Sequence, residues 1–118
     1  MRFRYVPRKH AIPAWRNPPG VGEFPPTMRA CTHAIVLTHG RGTHAYFRFW
    51  YSRGVLYAGG TWVHEDMRGC GTARELWRRV LDRFEPRRVE VRTISEAGRA
   101  LIASVVKDNP GIEWSITT

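Results

Sequence analysis

From Thr32 onward, short apolar runs alternate with glycine turns, and the period of the pattern predicts each element in turn. Ala34-Ile35-Val36-Leu37-Thr38 is a run of strand formers, and His39-Gly40-Arg41-Gly42-Thr43 has the glycines of a hairpin turn. Ala45-Tyr46-Phe47-Arg48-Phe49-Trp50-Tyr51 is a second strand, rich in aromatic β-formers, with Phe47, Phe49 and Tyr51 on the core side. After the tight turn Ser52-Arg53-Gly54, Val55-Leu56-Tyr57-Ala58 begins a third strand that resumes at Thr61-Trp62-Val63. The intervening Gly59-Gly60 marks a bulge or a close approach of backbone or ligand, with a plain turn as the alternative.

Beyond this point the period changes. Ala73, Leu76, Trp77, Val80, Leu81 and Phe84 recur at i, i+3, i+4 and i+7, one face of a helix from about Gly71 to Phe84, and Pro86 ends it. Arg88 to Ile94 alternates as a half-covered strand. Ser95 is placed to cap a second helix with Ala97, Leu101, Ile102 and Val105 on its apolar side; Asn109-Pro110-Gly111 stops it, and Ile112 to Thr117 is a closing strand. The expected architecture is α/β (α+β): a mixed, mostly antiparallel sheet with two main helices, in the order β-β-β-α-β-α-β.

Residues 1 to 28 follow another logic. Pro7, Pro13, Pro18, Pro19, Pro25 and Pro26 interrupt regular structure, Arg2, Arg4, Arg8, Lys9 and Arg16 make the segment basic, and Phe3, Tyr5, Trp15 and Phe24 are too apolar for a purely solvated tail. This reads as an extended arm lying on the domain at 29–118, on a neighbouring subunit in a homo-oligomer, or on a partner.

With 118 residues the chain fits one domain with a real core. Its N-terminus lacks the apolar stretch of a signal peptide, and no run is long enough to cross a membrane, so a soluble, cytoplasmic protein is the expectation. Cys31 and Cys70 form no recognisable framework, which suits a reduced compartment and leaves their pairing open. No metal site is expected: the cysteines and histidines lack Cys-x-x-Cys spacing. The net charge of +9 comes almost entirely from arginine and points to anionic partners: a nucleotide-bearing cofactor, nucleic acid or an acidic protein surface. Arg78, Arg79 and Arg83, interspersed with Glu75 and Asp82, are expected to form a solvated charged face.

The most informative segment runs from Val63 to Trp77, where a strand meets a tight glycine turn and enters the first helix without a spacer. Such a turn offers bare backbone N–H groups and the positive end of the helix dipole to an anion. The run Arg68-Gly69-Cys70-Gly71-Thr72-Ala73, with Val63 before it and Leu76 after it, resembles the acetyl-CoA pyrophosphate loop of the GNAT N-acyltransferase superfamily. The order of elements from residue 32 resembles the core of that family from its second strand onward, with the family's first strand and first two helices missing or replaced by the arm.

The resemblance implies a truncated GNAT-like fold and acetyl-CoA as acyl donor. It implies pyrophosphate contacts from the N–H groups of Gly69, Gly71, Thr72 and Ala73 with charge from Arg68, and pantetheine pairing with the backbone of Trp62 and Val63. His64 and Glu65, just before the loop, are the candidates for relaying a proton through water. The chain also departs from the family. The segment Ser95 to Lys107 has no tyrosine to protonate a leaving thiolate, Ser95 replaces a frequent asparagine, Tyr57 stands where some members carry a glutamate base, and Glu65 replaces a common proline.

Two functional classes follow. One is an acetyl-CoA-dependent N-acyltransferase whose acceptor is a protein or an anionic small molecule, since a basic enzyme repels polyamines. The other is a non-catalytic GNAT-fold structural or interaction protein, for example a viral or assembly component of a virion, whose basic arm binds a protein partner or nucleic acid.

Overall fold

The computed structural model describes residues 2–7, 33–39 and 42–118. Six strands form a single sheet in sequential order: β1 (Arg2–Pro7), β2 (His33–His39), β3 (Gly42–Ser52), β4 (Val55–Val63), β5 (Arg88–Arg92) and β6 (Glu113–Thr117). The first four pair antiparallel, whereas β4–β5 and β5–β6 are parallel. Parallel neighbours need a crossover. Helix α1 (Thr72–Phe84) supplies the first and α2 (Glu96–Asp108) the second.

The elements expected from residue 32 onward are all present in the expected order, and the chain has a mixed sheet with two helices. One strand precedes them. Arg2–Pro7, assigned from its prolines and arginines to the arm, pairs with β2 in the register Phe3↔Leu37 and Tyr5↔Ile35. Its aromatics are held from the side by α1: the guanidinium of Arg79 sits 3.9 Å from the Phe3 ring centre and that of Arg83 lies 4.2 Å from the Tyr5 ring centre. The Tyr5 hydroxyl donates to the Arg79 carbonyl at 2.6 Å, and burial raises its pKa against the pull of Arg83 and Arg79. Arg79 and Arg83 are therefore not simply part of a solvated face. The rest of the proposed arm, from residue 8, lies outside the described residues, as does Cys31.

Both helices pack on one face of the sheet. Leu76, Trp77, Val80 and Leu81 of α1 and Ile102 and Val105 of α2 meet Ile35, Leu37, Phe47, Phe49, Leu56, Val89 and Val91 in one buried cluster. Trp77 anchors it: it is 1% exposed, its ring stacks on Phe47 at 4.2 Å between centres, and its Nε1 donates to Thr61 Oγ1 at 3.2 Å. A buried indole rarely leaves its N–H without an acceptor, so the Trp77 bond to Thr61 fixes α1 against β4. The alternation of β3 puts Tyr46 and Arg48 on the opposite face, and they are buried there as well. Among the described residues no helix is long and apolar enough to cross a membrane.

Candidate functional site

Two irregularities of β4 open the sheet. The β3–β4 register runs from Phe47↔Thr61 to Phe49↔Ala58, so one residue of β3 faces Gly59 and Gly60 together, and the paired glycines form a bulge inside a continuous strand. On its other side β4 pairs with β5 at Val55↔Arg88, Leu56↔Val89 and Tyr57↔Glu90. Beyond Tyr57 the ladder stops and the strands diverge. A cleft of about 760 Å³ fills the gap, floored by Gly59, Gly60, Thr61 and Trp77 and walled by Thr93, Leu101 and Ile102.

At the far end of β4 the chain turns through a 3-10 turn, Glu65–Met67, into α1. Gly69 (φ 78°) and Gly71 (φ 77°) are both left-handed, and Gly71 is the N-cap of α1, where no side chain among the described residues provides a cap. The first intrahelical bond is Glu75 N–H to the Gly71 carbonyl at 3.0 Å. The N–H groups of Thr72, Ala73 and Arg74 therefore have no partner within the helix, and they converge at the positive end of its dipole. A Cβ built on Gly69 or Gly71 meets nothing within 4 Å, so backbone conformation, and not crowding by the fold, demands glycine there.

The loop is held from behind. Arg68 Nε donates to the Val63 carbonyl at 3.1 Å, spanning the 3-10 turn, and Thr72 Oγ1 donates to the Met67 carbonyl at 3.3 Å. Arg74 makes a two-pronged contact with Asp108 at 2.8 and 2.7 Å, tying the start of α1 to the end of α2. A depression of about 340 Å³ lies over the loop, lined by Arg68, Gly69, Gly71, Thr72, Arg74 and Ser104. It shares Val63, Ala73 and Leu101 with the larger cleft, so the two adjoin in a channel along β4.

Of the residues singled out by sequence, Val63, Arg68, Gly69, Gly71, Thr72 and Ala73 are brought together along this channel. Trp62 is not on the wall. Its ring stacks on Tyr46 at 5.6 Å on the opposite face of the sheet, leaving only its backbone beside the cleft. His64 and Glu65 also fall outside the lining. His64 Nδ1 accepts from the Asp66 N–H at 3.2 Å and lies 3.5 Å from the Asp66 carboxylate. Its ring stands 5.8 Å from that of His44. Cys70 is exposed in the loop. Among the described residues no group of three or more His, Cys, Asp or Glu is placed to hold a metal ion.

The sheet divergence adds wall residues that sequence reasoning did not single out as a set: Trp50, Tyr57, Arg92, Thr93 and Ile94. They come from three different strands and the segment after β5. The one signal available beforehand was the Gly59-Gly60 interruption, which locates a gap without naming its far side.

Comparison with known structures agrees with this architecture. Over 61% of the chain it superposes on half (50%) of the ribosomal-protein-S18-alanine N-acetyltransferase of Escherichia coli, with a TM-score of 0.51 and 23% identity. Over 71% of the chain it superposes on 57% of an IAA acetyltransferase from Bacillus cereus (TM-score 0.52, 13% identity). A protein from Bacteroides thetaiotaomicron assigned to the GNAT acetyltransferase family aligns over 92% of this chain and 70% of its own (TM-score 0.55, 12% identity). The chain thus spans 50 and 57% of the lengths of the first two. No family model matches it, and neither does any curated protein sequence. The fold is that of the GNAT acetyltransferases, in truncated form.

Proposed function

We propose that the protein is an acetyl-CoA-dependent N-acyltransferase. The observation that supports this reading is the uncapped N-terminus of α1, reached through two left-handed glycines, at the end of a channel that continues into the gap between β4 and β5. The donor's chemistry, when bound, is that of an acyl thioester. The residues present fit it. The N–H groups of Gly71, Thr72 and Ala73 can donate to a diphosphate without a side chain in the way, Arg68 adds charge at its edge, and the β4 backbone past the bulge offers ladder groups to an extended amide-bearing arm.

The protein's contribution to rate is then chiefly positioning, which converts a bimolecular reaction into a nearly intramolecular one. Helix α2 (Glu96–Asp108) contains no tyrosine, and the candidate relay residues His64 and Glu65 do not line the cleft. In this reading the proton moves through water, at a cost of about a hundredfold in rate compared with a placed general acid. The same observation supports the second reading, a GNAT-fold module without catalysis that binds a protein or nucleic acid.

Calorimetric titration with acetyl-CoA at moderate and high salt, with ATP and a short DNA duplex as anionic controls, separates the two. Saturable acetyl-CoA binding that persists at high salt, without comparable binding of the controls, supports the acyltransferase. Absence of acetyl-CoA binding overturns it, and DNA binding that falls steeply with salt then favours the second reading.

A further inference from the structure

The gap between β4 and β5 is lined by residues from both faces of the sheet, which gives it a mouth toward each. On the helix side it is bounded by Ala73, Trp77, Leu101 and Ile102. The other mouth follows from strand alternation. Val89 and Val91 are buried in the helix-side core, which puts Arg92 on the opposite face, and Leu56 in that core puts Tyr57 there too. Trp50 pairs directly with Tyr57 across β3 and β4, their ring centres 5.2 Å apart at 32°.

This second mouth has a distinct chemistry. Three large hydrophobic side chains are exposed among the described residues: Trp50 (43%), Ile94 (83%) and Ile116 (48%). Two of them, Trp50 and Ile94, line this cleft. Apolar surface left open to water by an otherwise well-packed core costs free energy, and a pair of aromatic faces beside it suits a flat apolar body. The electrostatics are one-sided. Among the described residues lining the cleft, Arg92 is the one charged side chain and no carboxylate is present. The carboxylate nearest in sequence, Glu90 on the same strand, is engaged by Arg88 at 3.2 Å.

We infer that this mouth is the acceptor subsite and that it selects an aromatic amine bearing a carboxylate, an aromatic amino acid being the simplest case. The inference rests on the acyltransferase reading above and specifies its substrate class. Trp50, Tyr57 and Ile94 hold the aromatic body, and the Arg92 guanidinium meets the carboxylate, which directs the amine into the gap. The unprotonated amine nitrogen attacks the thioester carbonyl carbon. The N–C bond forms as the C–S bond breaks, the sulfur leaves with the bonding pair, and the proton lost by nitrogen ends on the thiol. A polycationic acceptor finds no counter-charge here, only Arg92.

The test is equilibrium binding to the full chain, followed by tryptophan fluorescence and calorimetry, with CoA titrated first and separately. L-Phenylalanine and phenethylamine, which differ by the carboxylate, are then titrated with and without CoA. The expected result is at least about tenfold tighter binding of L-phenylalanine, since a charge-assisted contact in a half-open cleft is worth about that much. The preference should collapse in Arg92→Gln, survive in Lys107→Gln, which removes the same charge away from the cleft, and both ligands should weaken in Trp50→Ala. Circular dichroism melts check that each variant is folded. Equal affinity for the two ligands, no binding of either, or an unchanged preference in Arg92→Gln overturns the inference. If CoA binding persists in that case, the acyltransferase reading stands without it, whereas loss of CoA binding to the wild type removes that reading itself.

Discussion

Replacing Gly71 separates the backbone demand of the loop from its proposed ligand contact. Gly71 sits at φ 77°, where an L residue costs about 1–2 kcal/mol, partly offset by about 0.4–1 kcal/mol from a stiffer unfolded chain. A Cβ there meets nothing within 4 Å, so no steric penalty is added. Gly71→Ala should therefore lower stability by about 1 kcal/mol, a fall in Tm of about 3–6 °C for a domain of this size. Gly54 is the matching control: its φ is 80°, and the atoms nearest to its Cβ would belong to the flexible Arg87 side chain, at 3.3 Å from Nε. Gly54→Ala should cost a similar amount. Binding should divide them. Gly71→Glu puts a carboxylate where a diphosphate is proposed to approach, and two unit charges about 4 Å apart near a protein surface repel by up to about 4 kcal/mol. Discounted for solvent exposure, this predicts a loss of at least about a hundredfold in acetyl-CoA affinity, or about 2.7 kcal/mol. Melts by circular dichroism give the first quantity and calorimetry the second. An affinity for Gly71→Glu within about threefold of wild type, or an equal loss in Gly54→Ala, would contradict a diphosphate contact at Gly71.

Other consequences are independent of the ligand or bear on proton handling. Hydrogen bonds from Arg78 above all, and then from Arg79, hold the Glu75 carboxyl down to about 2 from 4.5. Its folded-state pKa lies below the unfolded one, so the stabilisation is complete above about pH 4.5 and is lost as pH falls from there toward 2. Glu75→Gln should flatten that acid limb in a plot of Tm against pH, and superimposable limbs would contradict the assignment. Trp77→Phe removes the Nε1 bond to Thr61 and part of a ring that is 1% exposed, and urea unfolding should report a loss of about 2–3 kcal/mol. A loss below about 0.5 kcal/mol would mean that the site relaxes freely. Since His64 and Glu65 lie off the cleft wall, His64→Ala and Glu65→Gln should keep kcat within about threefold of wild type in any acetyl-transfer assay. A fall of about a hundredfold would make either residue part of the proton path.

The chain displays most of its local structure openly. The i, i+3, i+4 apolar spacing from Ala73 to Phe84 predicts a helix that is found at Thr72–Phe84, and Ser95 caps α2 as its position suggests, accepting from the Gly98 N–H at 3.0 Å. The Gly59-Gly60 bulge was also legible, because paired glycines inside a β-rich run have few other uses. Strand β1 was hidden by its context. Phe3 and Tyr5 alternate with Arg2 and Arg4 as in any edge strand, but the prolines and basic charge that follow dominate the composition. What holds it, Arg79 and Arg83 over the two rings, is contact between segments more than seventy residues apart, as the Tyr5 bond to Arg79 shows (a separation of 74). The second mouth of the cleft was illegible for a related reason. Trp50 reads as one more strand aromatic and Arg92 as one more surface arginine until the divergence of β4 and β5 sets them beside the same gap.

The most direct test of the loop's proposed role is an amide NMR titration with CoA. The largest shifts are expected at the N–H groups of Gly69, Gly71, Thr72 and Ala73, decreasing along β4 past Val63, with Gly54 and Gly111 unmoved. Saturable shifts centred instead on the outer arginines of α1, such as Arg78, or no shifts at all, would contradict it.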